Sequence, residues 1–202
     1  MFVIGLAGGS GSGKSLVTAF FGIENIPSFD CDAVYHQLIS RRGDLTSELS
    51  QAFGENILLP DGFINRRALA EIVFADEEKR KTLNRITHKH ILDALHDWLK
   101  QIEKEGYSVA VVDAPLLFES GFDRECDVTI AVTAPTETRI DRIVARDGIT
   151  REQAAERIAS QIPDDELEKR ADFVIHNDGD VMNVDKQFQS ILHKINERRK
   201  KK

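Results

Sequence analysis

Close to the start of the chain, a run of glycines followed by a lysine is the first group of residues whose types and spacing suggest chemistry. The stretch GGSGSGKS, residues 8–15, fits the pattern G-x-x-x-x-G-K-[ST]. The apolar run FVIGLA comes directly before it, and helical apolar spacing follows it, as a phosphate-binding loop requires. Because glycines have no Cβ, several backbone N–H groups can approach one phosphate chain. The stretch therefore predicts a site for a nucleoside triphosphate.

The residues at the end of this motif have separate predicted roles. Lys14 would reach the terminal phosphates, and the Ser15 hydroxyl would ligate a Mg²⁺ ion that bridges the outer phosphates. A helix that begins near Lys14 would add its positive N-terminal end. We therefore expect one short segment to hold the nucleotide: Gly9, Gly11, Ser12, Gly13, Lys14, Ser15 and Leu16.

Acidic side chains follow two of the predicted strands. Asp30 and Asp32 come after the second apolar run, and Asp113 ends the third, VAVV. In an open α/β sheet, ligands bind at the edge where the strands end. The first two acids could hold Mg²⁺ or accept a proton from an attacking hydroxyl, or Asp could simply cap the following helix. Asp113 resembles the second metal-site acid of proteins with this loop.

Three arginines with helical spacing form another candidate group. They lie at i, i+3 and i+7, so a mobile cationic helix could close over a phosphoryl group and stabilise its charge. They could equally form a solvated face paired with Glu137, Asp141 and Asp147. The sequence leaves both interpretations open for Arg139, Arg142 and Arg146.

The elements that must position these residues alternate between strand and helix patterns. Short apolar runs predict five strands: FVIGLA, IPSF, VAVV, DVTIAVT and DFVIHN. Helical spacing covers residues 14–21, much of 33–104, 136–159 and 184–195. This order predicts an α/β fold with a parallel five-stranded sheet flanked by helices on both faces. The block 33–104 is predicted to be a helical insertion in that core.

Composition limits the classes of function. The chain has 202 residues, 41% of them hydrophobic, and a net charge of -7. The acidic balance argues against a general nucleic-acid binder, and no apolar stretch approaches the roughly 20 residues that span a membrane. Cys31 and Cys126 form no CxxC pair, which suits a reducing compartment. We expect a cytoplasmic protein that is a monomer or a weak homo-oligomer, with a solvated, frayed basic tail at residues 198–202.

Seven segments, in order and along nearly the whole chain, resemble the dephospho-coenzyme A kinase family. Their order and spacing are specific, although each one alone is weak beyond the first. Four positions depart from the usual pattern: Ser10 replaces Ile, Leu16 Thr, Asn65 Asp and Lys89 Pro. The segments are GLAGGSGSGKS, FDCDAVYH, DGFINRRALAEIVF, LNRITHKHI, DAPLLFESG, RIVARDGITREQAAERIASQIP and ADFVIHNDGD.

The resemblance implies phosphorylation of the ribose 3′-hydroxyl of dephospho-coenzyme A by ATP with Mg²⁺, the last step of coenzyme A biosynthesis. It implies that Asp32 accepts or orients the hydroxyl proton, that Lys14 neutralises the transferred group, and that a lid arginine, with Arg142 as our candidate, closes over it. Ser15 and Asp113 would hold the metal. Asn177 and Gly179 would lie at the adenine. The candidate acceptor contacts are Asp30, Arg66, His88 and Glu119.

The same resemblance implies how one P-loop kinase domain would be divided. Residues 1–32 and 105–202 would form the nucleotide-binding core. Residues from about 33 to 104 would be a helical insertion that binds the acceptor, and residues from about 136 to 170 a helical lid.

Three other functions are compatible with the loop alone. A nucleoside or nucleotide kinase would share the loop, the acids and the arginines and differ only in its acceptor. A nucleotide-dependent switch such as a small GTPase would need an N-K-x-D element, and HNDG at residues 176–179 lacks the lysine. An ATP-binding module without turnover would leave the acids and the lid arginines incidental.

Overall fold

A five-stranded sheet in the order β2-β3-β1-β4-β5 carries the phosphate-binding loop. It is seen in a computed structural model that describes residues 1–74 and 76–200. β1 runs parallel to β3 and to β4, and β4 runs parallel to β5. This confirms the predicted fold class. The strands are β1 (Phe2–Ala7), β2 (Ser28–Asp30), β3 (Val109–Asp113), β4 (Val128–Thr133) and β5 (Phe173–His176).

The central strands are apolar along their length because both faces of the sheet are covered. β3 and β4 are buried at every position, and β1 is buried from Val3 onward. Helices pack on this sheet with large side chains. The rings of Phe21 and Phe188 meet edge to face with their centroids 4.8 Å apart, in the middle of the core.

Most helices in the described part of the chain lie in the predicted regions, with two exceptions: one predicted helix is broken in two, and helical spacing did not predict the helix Asp164–Arg170. The pattern over residues 136–159 is two helices, because Gly148 ends the first with φ 66°. Thr150 and Gln153 then form a capping box that starts the second. The helices are α1 (Lys14–Ile23), α2 (Cys31–Ile39), α3 (Asp44–Phe53), α4 (Arg66–Phe74), α5 (Glu77–Lys104), α6 (Thr136–Asp147), α7 (Arg151–Ala159), α8 (Asp164–Arg170) and α9 (Val181–Lys200).

The chain divides into two compact units. One comprises Met1–Phe29 and the chain from Ile102 onward, and it contains the sheet except for the last residue of β2. The other is Asp30–Gln101, which is helical and has its own apolar core. That second core includes buried residues of α2, α3, α4 and α5: Ile39, Leu45, Leu49, Leu69, Val73 and Ile86.

The basic C-terminal segment is not frayed where the structure describes it, so that prediction is wrong for residues 198–200. α9 continues to Lys200. Arg198 pairs with Asp172 at 3.2 Å and lies over the ring of Phe173. Arg199 donates to the Ser108 hydroxyl at 2.9 Å. These contacts hold the last turns of α9 against its own unit. Residues 201 and 202 of the predicted tail lie outside the described residues.

No helix within residues 1–74 and 76–200 combines the length and the apolar composition that crossing a membrane requires. Cys31 and Cys126 are not joined in a disulfide. Burial raises the pKa of the Cys126 thiol to about 12, and nearby carboxylates add to that effect.

Candidate active site

The phosphate-binding loop lies between the end of β1 and the first residue of α1. Gly11 and Gly13 have φ angles of 78° and 90°, which glycine adopts without strain. Space is restricted as well. A Cβ on Gly11 would lie 2.6 Å from the Arg139 carbonyl oxygen, and one on Gly13 would collide with the Asn177 amide. These two glycines are therefore required by close packing, of Gly11 against the Arg139 backbone and of Gly13 against the Asn177 side chain, as well as by access to phosphates.

Lys14 points to the end of β3. Its ammonium contacts Oδ1 of Asp113, and Thr18, one turn further along α1, donates to Oδ2 of the same carboxylate at 2.9 Å. Asp113 is buried, with 8% of its surface exposed. A buried carboxylate needs such partners because burial without them costs several kcal/mol. Lys14 and Asp113 thus form an ion pair at the edge of the sheet where β3 ends.

Oxygen donors suited to Mg²⁺ lie at this edge. Ser15 is exposed in the first turn of α1, and Asp113 ends the neighbouring strand β3. Within residues 1–74 and 76–200, no three His, Cys, Asp or Glu side chains cluster as a metal site would need. Ser15 and Asp113 are oxygen donors of the kind that bind Mg²⁺ together with nucleotide phosphates.

Arg142 reaches the phosphate-binding loop from α6. It donates to the carbonyl oxygens of Gly11 at 3.1 Å and Ser12 at 3.4 Å, and to Oδ1 of Asn177 at 3.0 Å. Asn177 is buried and in turn donates to the Ser12 carbonyl at 2.8 Å. This predicted pair therefore lies together at the loop, although the two residues come from different elements.

The other two arginines of α6 are placed differently. Arg139 is buried, with 3% exposed, and its guanidinium donates to Ser10, Gln161 and Asp164. Arg146 is bound side-on to Asp147 at 2.7 and 2.9 Å. Hydrogen bonding to Arg146, with a further contribution from Arg157, lowers the pKa of Asp147 to about 2. Arg146 is thus an exposed arginine paired with a neighbouring acid, as one of the two interpretations predicted. Arg139 is buried and connects the loop to Gln161 and Asp164.

The loop after β5 carries the other predicted nucleotide residue, Gly179, which is exposed with φ 111°. A cavity of about 250 Å³ lies between this loop and the residues that follow β4. Several carboxylates line it, which makes it unsuited to a phosphate group. Its lining is Thr133, Ala134, Pro135, Asp164, Glu168, His176 and Asp178.

Glu119 lies in the turn after β3 and is exposed. The end of α8 contacts the same turn. Arg170 donates to the Phe118 carbonyl at 3.2 Å and lies 4.7 Å from the centroid of the Phe118 ring. Arg170 of α8 therefore stabilises the turn that carries Glu119.

Asp30 caps α2 in the unit Asp30–Gln101. Its Oδ1 accepts from the Ala33 N–H at 2.9 Å. Asp32 follows in the first turn of this helix and is exposed. The sequence left open whether an Asp caps the following helix. In the structure, Asp30 is that capping residue.

Arg66 and His88 belong to this same unit. Arg66 donates to the Ser40 hydroxyl at 2.5 Å and to the His36 carbonyl at 3.4 Å. His88 is half-buried in α5, and burial lowers the pKa of its imidazole. Arg66 is thereby fixed against α2, while His88 is favoured in its neutral form.

Sequence reasoning missed Thr18 and Gln161. Thr18 lies at i+4 from Lys14, a spacing that places both on one helix face, so the sequence held a signal for it. Gln161 ends the segment RIASQ and contacts Ser10, 151 positions away. Only the fold brings that pair together.

The chain is similar in sequence and in fold to known proteins. The family model described as "Dephospho-CoA kinase" matches residues 2–183. A protein of Corynebacterium glutamicum with that name is 38% identical over 195 residues, covering 96% of this chain and 98% of the relative. A crystal structure from Thermus thermophilus is 33% identical with a TM-score of 0.81, covering 96% of this chain and 97% of that one. A dephospho-CoA kinase structure from Campylobacter jejuni is 27% identical with a TM-score of 0.67, covering 96% of each chain.

Proposed function

The chain belongs to the dephospho-CoA kinase family, and we propose that Lys14, Asp32 and Arg142 carry the three roles that phosphoryl transfer to an alcohol requires. The reaction uses ATP with Mg²⁺ to phosphorylate the ribose 3′-hydroxyl of dephospho-CoA, giving coenzyme A and ADP. The observation that carries the proposal is the ion pair of Lys14 and Asp113 beside the glycine loop, to which the Thr18 hydroxyl adds a hydrogen bond.

Charge neutralisation at the transferred phosphoryl group falls to Lys14. The loop around it presents backbone N–H groups, and α1 adds the positive end of its dipole. Ser15 and Asp113 would hold the Mg²⁺, which supplies further positive charge at the β- and γ-phosphate oxygens. Because the transition state has little covalent chemistry for the protein to perform, positioning and charge are the main contributions of these groups.

Arg142 is the arginine that we assign to the nucleotide. Its guanidinium already contacts two carbonyls of the loop and the Asn177 side chain. Arg139 uses all of its nitrogens on protein partners, and Arg146 is held by Asp147 on the exposed side of α6. Asn177 and Gly179 would then contact the adenine. Helices α6, α7 and α8, approximately residues 136–170, would act as the lid.

Asp32 is assigned the hydroxyl proton. Asp30 caps α2, and Asp32 lies exposed in the first turn of the same helix, where the positive end of the helix dipole interacts favourably with a carboxylate. A carboxylate at that position can accept or orient the proton of the attacking hydroxyl. The dephospho-CoA would be held by the insertion from about 33 to 104, with contacts from Asp30, Arg66 and His88, and by Glu119.

The partners of the protein are accordingly its small-molecule substrates. We further infer that it acts in the cytoplasm as a monomer or a weak homo-oligomer without binding nucleic acid. Two cysteines that are not joined in a disulfide and a net charge of -7 support this.

The replacement Asp32→Asn tests the assignment of the proton acceptor. It should retain ATP binding and lower kcat at least about a hundredfold, since general base catalysis contributes about 10²–10⁴-fold. Asp44→Asn is the matched control and should retain more than about a third of kcat, because Asp44 is likewise an exposed acid in the first turn of a helix, α3, and has no proposed role. Turnover of Asp32→Asn near that of the unmodified protein would contradict the role of Asp32.

A further inference from the structure

Ser10, in the phosphate-binding loop, is held by two side chains of the same unit, Arg139 from α6 and Gln161 from the connection between α7 and α8. Its N–H donates to Oε1 of Gln161 at 3.0 Å, and its hydroxyl accepts from Nε2 of Gln161 at 3.1 Å. Its carbonyl oxygen accepts from Nε of Arg139 at 2.9 Å. All three polar groups of this loop residue are therefore engaged, although Arg139 is 129 positions away and Gln161 is 151.

The two side chains also fix each other. Arg139 donates from Nη2 to Oε1 of Gln161 at 2.8 Å and from Nη1 to Asp164, the first residue of α8, at 2.7 Å. Oε1 of Gln161 thus accepts two hydrogen bonds while Nε2 donates one. The opposite orientation of the amide would set its NH₂ group against two donors, so the network selects one orientation.

Space around the loop is shaped to this arrangement. A Cβ on Gly9 would collide with the Arg139 guanidinium and would lie 2.7 Å from Oε1 of Gln161. Gly9 is therefore the residue that lets both side chains reach Ser10. Arg139 is 97% buried at this contact (3% exposed), so its hydrogen bonds are not exchanged readily for water.

We propose that Gln161 is a positioning residue of the phosphate site, which fixes the Ser10 peptide and thereby presets the loop for the outer phosphates of ATP. Arg139 secures Gln161 and ties it to α8. The proposal rests on the proposed function only in that the loop receives a nucleoside triphosphate. A loop that is already ordered loses less conformational entropy when a ligand binds. Loss of Gln161 should therefore lower the affinity most for ligands that make the most contacts with the loop.

The experiment compares the dissociation constants of Mg-ATP and AMP by calorimetry, without any acceptor. Gln161→Ala should raise the dissociation constant of Mg-ATP by about tenfold, since two modest hydrogen bonds to the loop are lost. AMP lacks the outer phosphates, and its constant should change less than about twofold by the same reasoning. Gln161→Met fills the same space without polar atoms and should reproduce this selective loss, provided that its melting temperature matches that of the unmodified protein.

Gln153→Ala in α7 is the matched control. Gln153 closes the capping box with Thr150, and none of its hydrogen bonds goes to the loop. It should leave the ratio of the ATP and AMP constants unchanged. Equal weakening of both ligands by Gln161→Met, or unchanged ATP binding, would overturn the proposal. Because no acceptor is present, neither dissociation constant depends on whether dephospho-CoA is the acceptor.

Discussion

Lys14 and Thr18, one turn apart on α1, both donate to the carboxylate of Asp113 at the end of β3. The pairing joins the helix that follows the phosphate-binding loop to the strand beside β1. It also fixes which carboxylate oxygens face the lysine and the threonine. The same carboxylate is our candidate ligand for Mg²⁺. A change at Asp113 should therefore affect both the binding of the metal and the position of Lys14.

Replacing Asp113 with Asn should therefore alter the magnesium dependence of the reaction. The carboxylate charge is lost while the shape remains, so kcat/KM for ATP should fall about a hundredfold, the usual cost of removing one preorganised charge at a transition state. Raising the Mg²⁺ concentration should recover part of this loss. The measurement is the initial rate across a Mg²⁺ titration at fixed ATP.

Thr18→Val serves as the control for that titration. It removes one hydrogen bond to Asp113 and keeps the charge, so the rate should fall less than about tenfold, in line with one neutral donor. If Asp113→Asn and the unmodified protein showed the same Mg²⁺ dependence, Asp113 would not belong to the metal site.

Arg142 should be the arginine of α6 whose loss reduces nucleotide use most selectively. Arg142→Ala removes charge-assisted hydrogen bonds at the loop, and kcat/KM for ATP should fall by about tenfold to a hundredfold. Arg146→Ala removes only an exposed ion pair, and the change should stay within about threefold. Steady-state kinetics with varied ATP distinguish the two. Equal losses in both variants would contradict our assignment.

His88 should make the stability of the protein depend on pH. Burial lowers the pKa of its imidazole in the folded state, while the unfolded value is about 6.5. Its contribution is therefore complete above about pH 6.5 and is lost as pH falls toward the folded pKa. The loss should remain below about 1 kcal/mol, because the side chain is only half-buried and water screens it.

Urea unfolding at pH 7.5 and pH 5.5 measures this contribution. His88→Gln cannot titrate, so the free energy of unfolding should fall less between the two pH values in the variant than in the unmodified protein. An identical pH dependence in His88→Gln would show that His88 titrates alike in both states.

The fold was predictable because its signals are local. Five short apolar runs, a glycine loop before a helix and a helical block between the second and third strands define a parallel α/β sheet. The break between α6 and α7 was missed although Gly148 and the pair Thr150 and Gln153 signal it. Apolar spacing continues across that turn and hides it.

The site was predictable only in part. The motif predicted the roles of Lys14 and its neighbours. Whether an arginine is buried, however, depends on hydrogen-bond partners that are far away in the sequence. Arg139 resembles a solvated residue by pattern, yet the Ser10 carbonyl, Gln161 and Asp164 satisfy its guanidinium and allow it to be buried. Such long-range satisfaction of charge leaves no periodic signal in the chain.

The most direct test of the activity is ADP formation from Mg-ATP with a set of acceptors: dephospho-CoA, nucleosides, nucleoside monophosphates and water. ADP release should require dephospho-CoA, with coenzyme A phosphorylated at the ribose 3′ position as the product. Release that proceeds with a nucleotide instead would contradict the acceptor while leaving the phosphate-binding loop unchanged. Equal release with water alone would contradict phosphoryl transfer to an alcohol altogether.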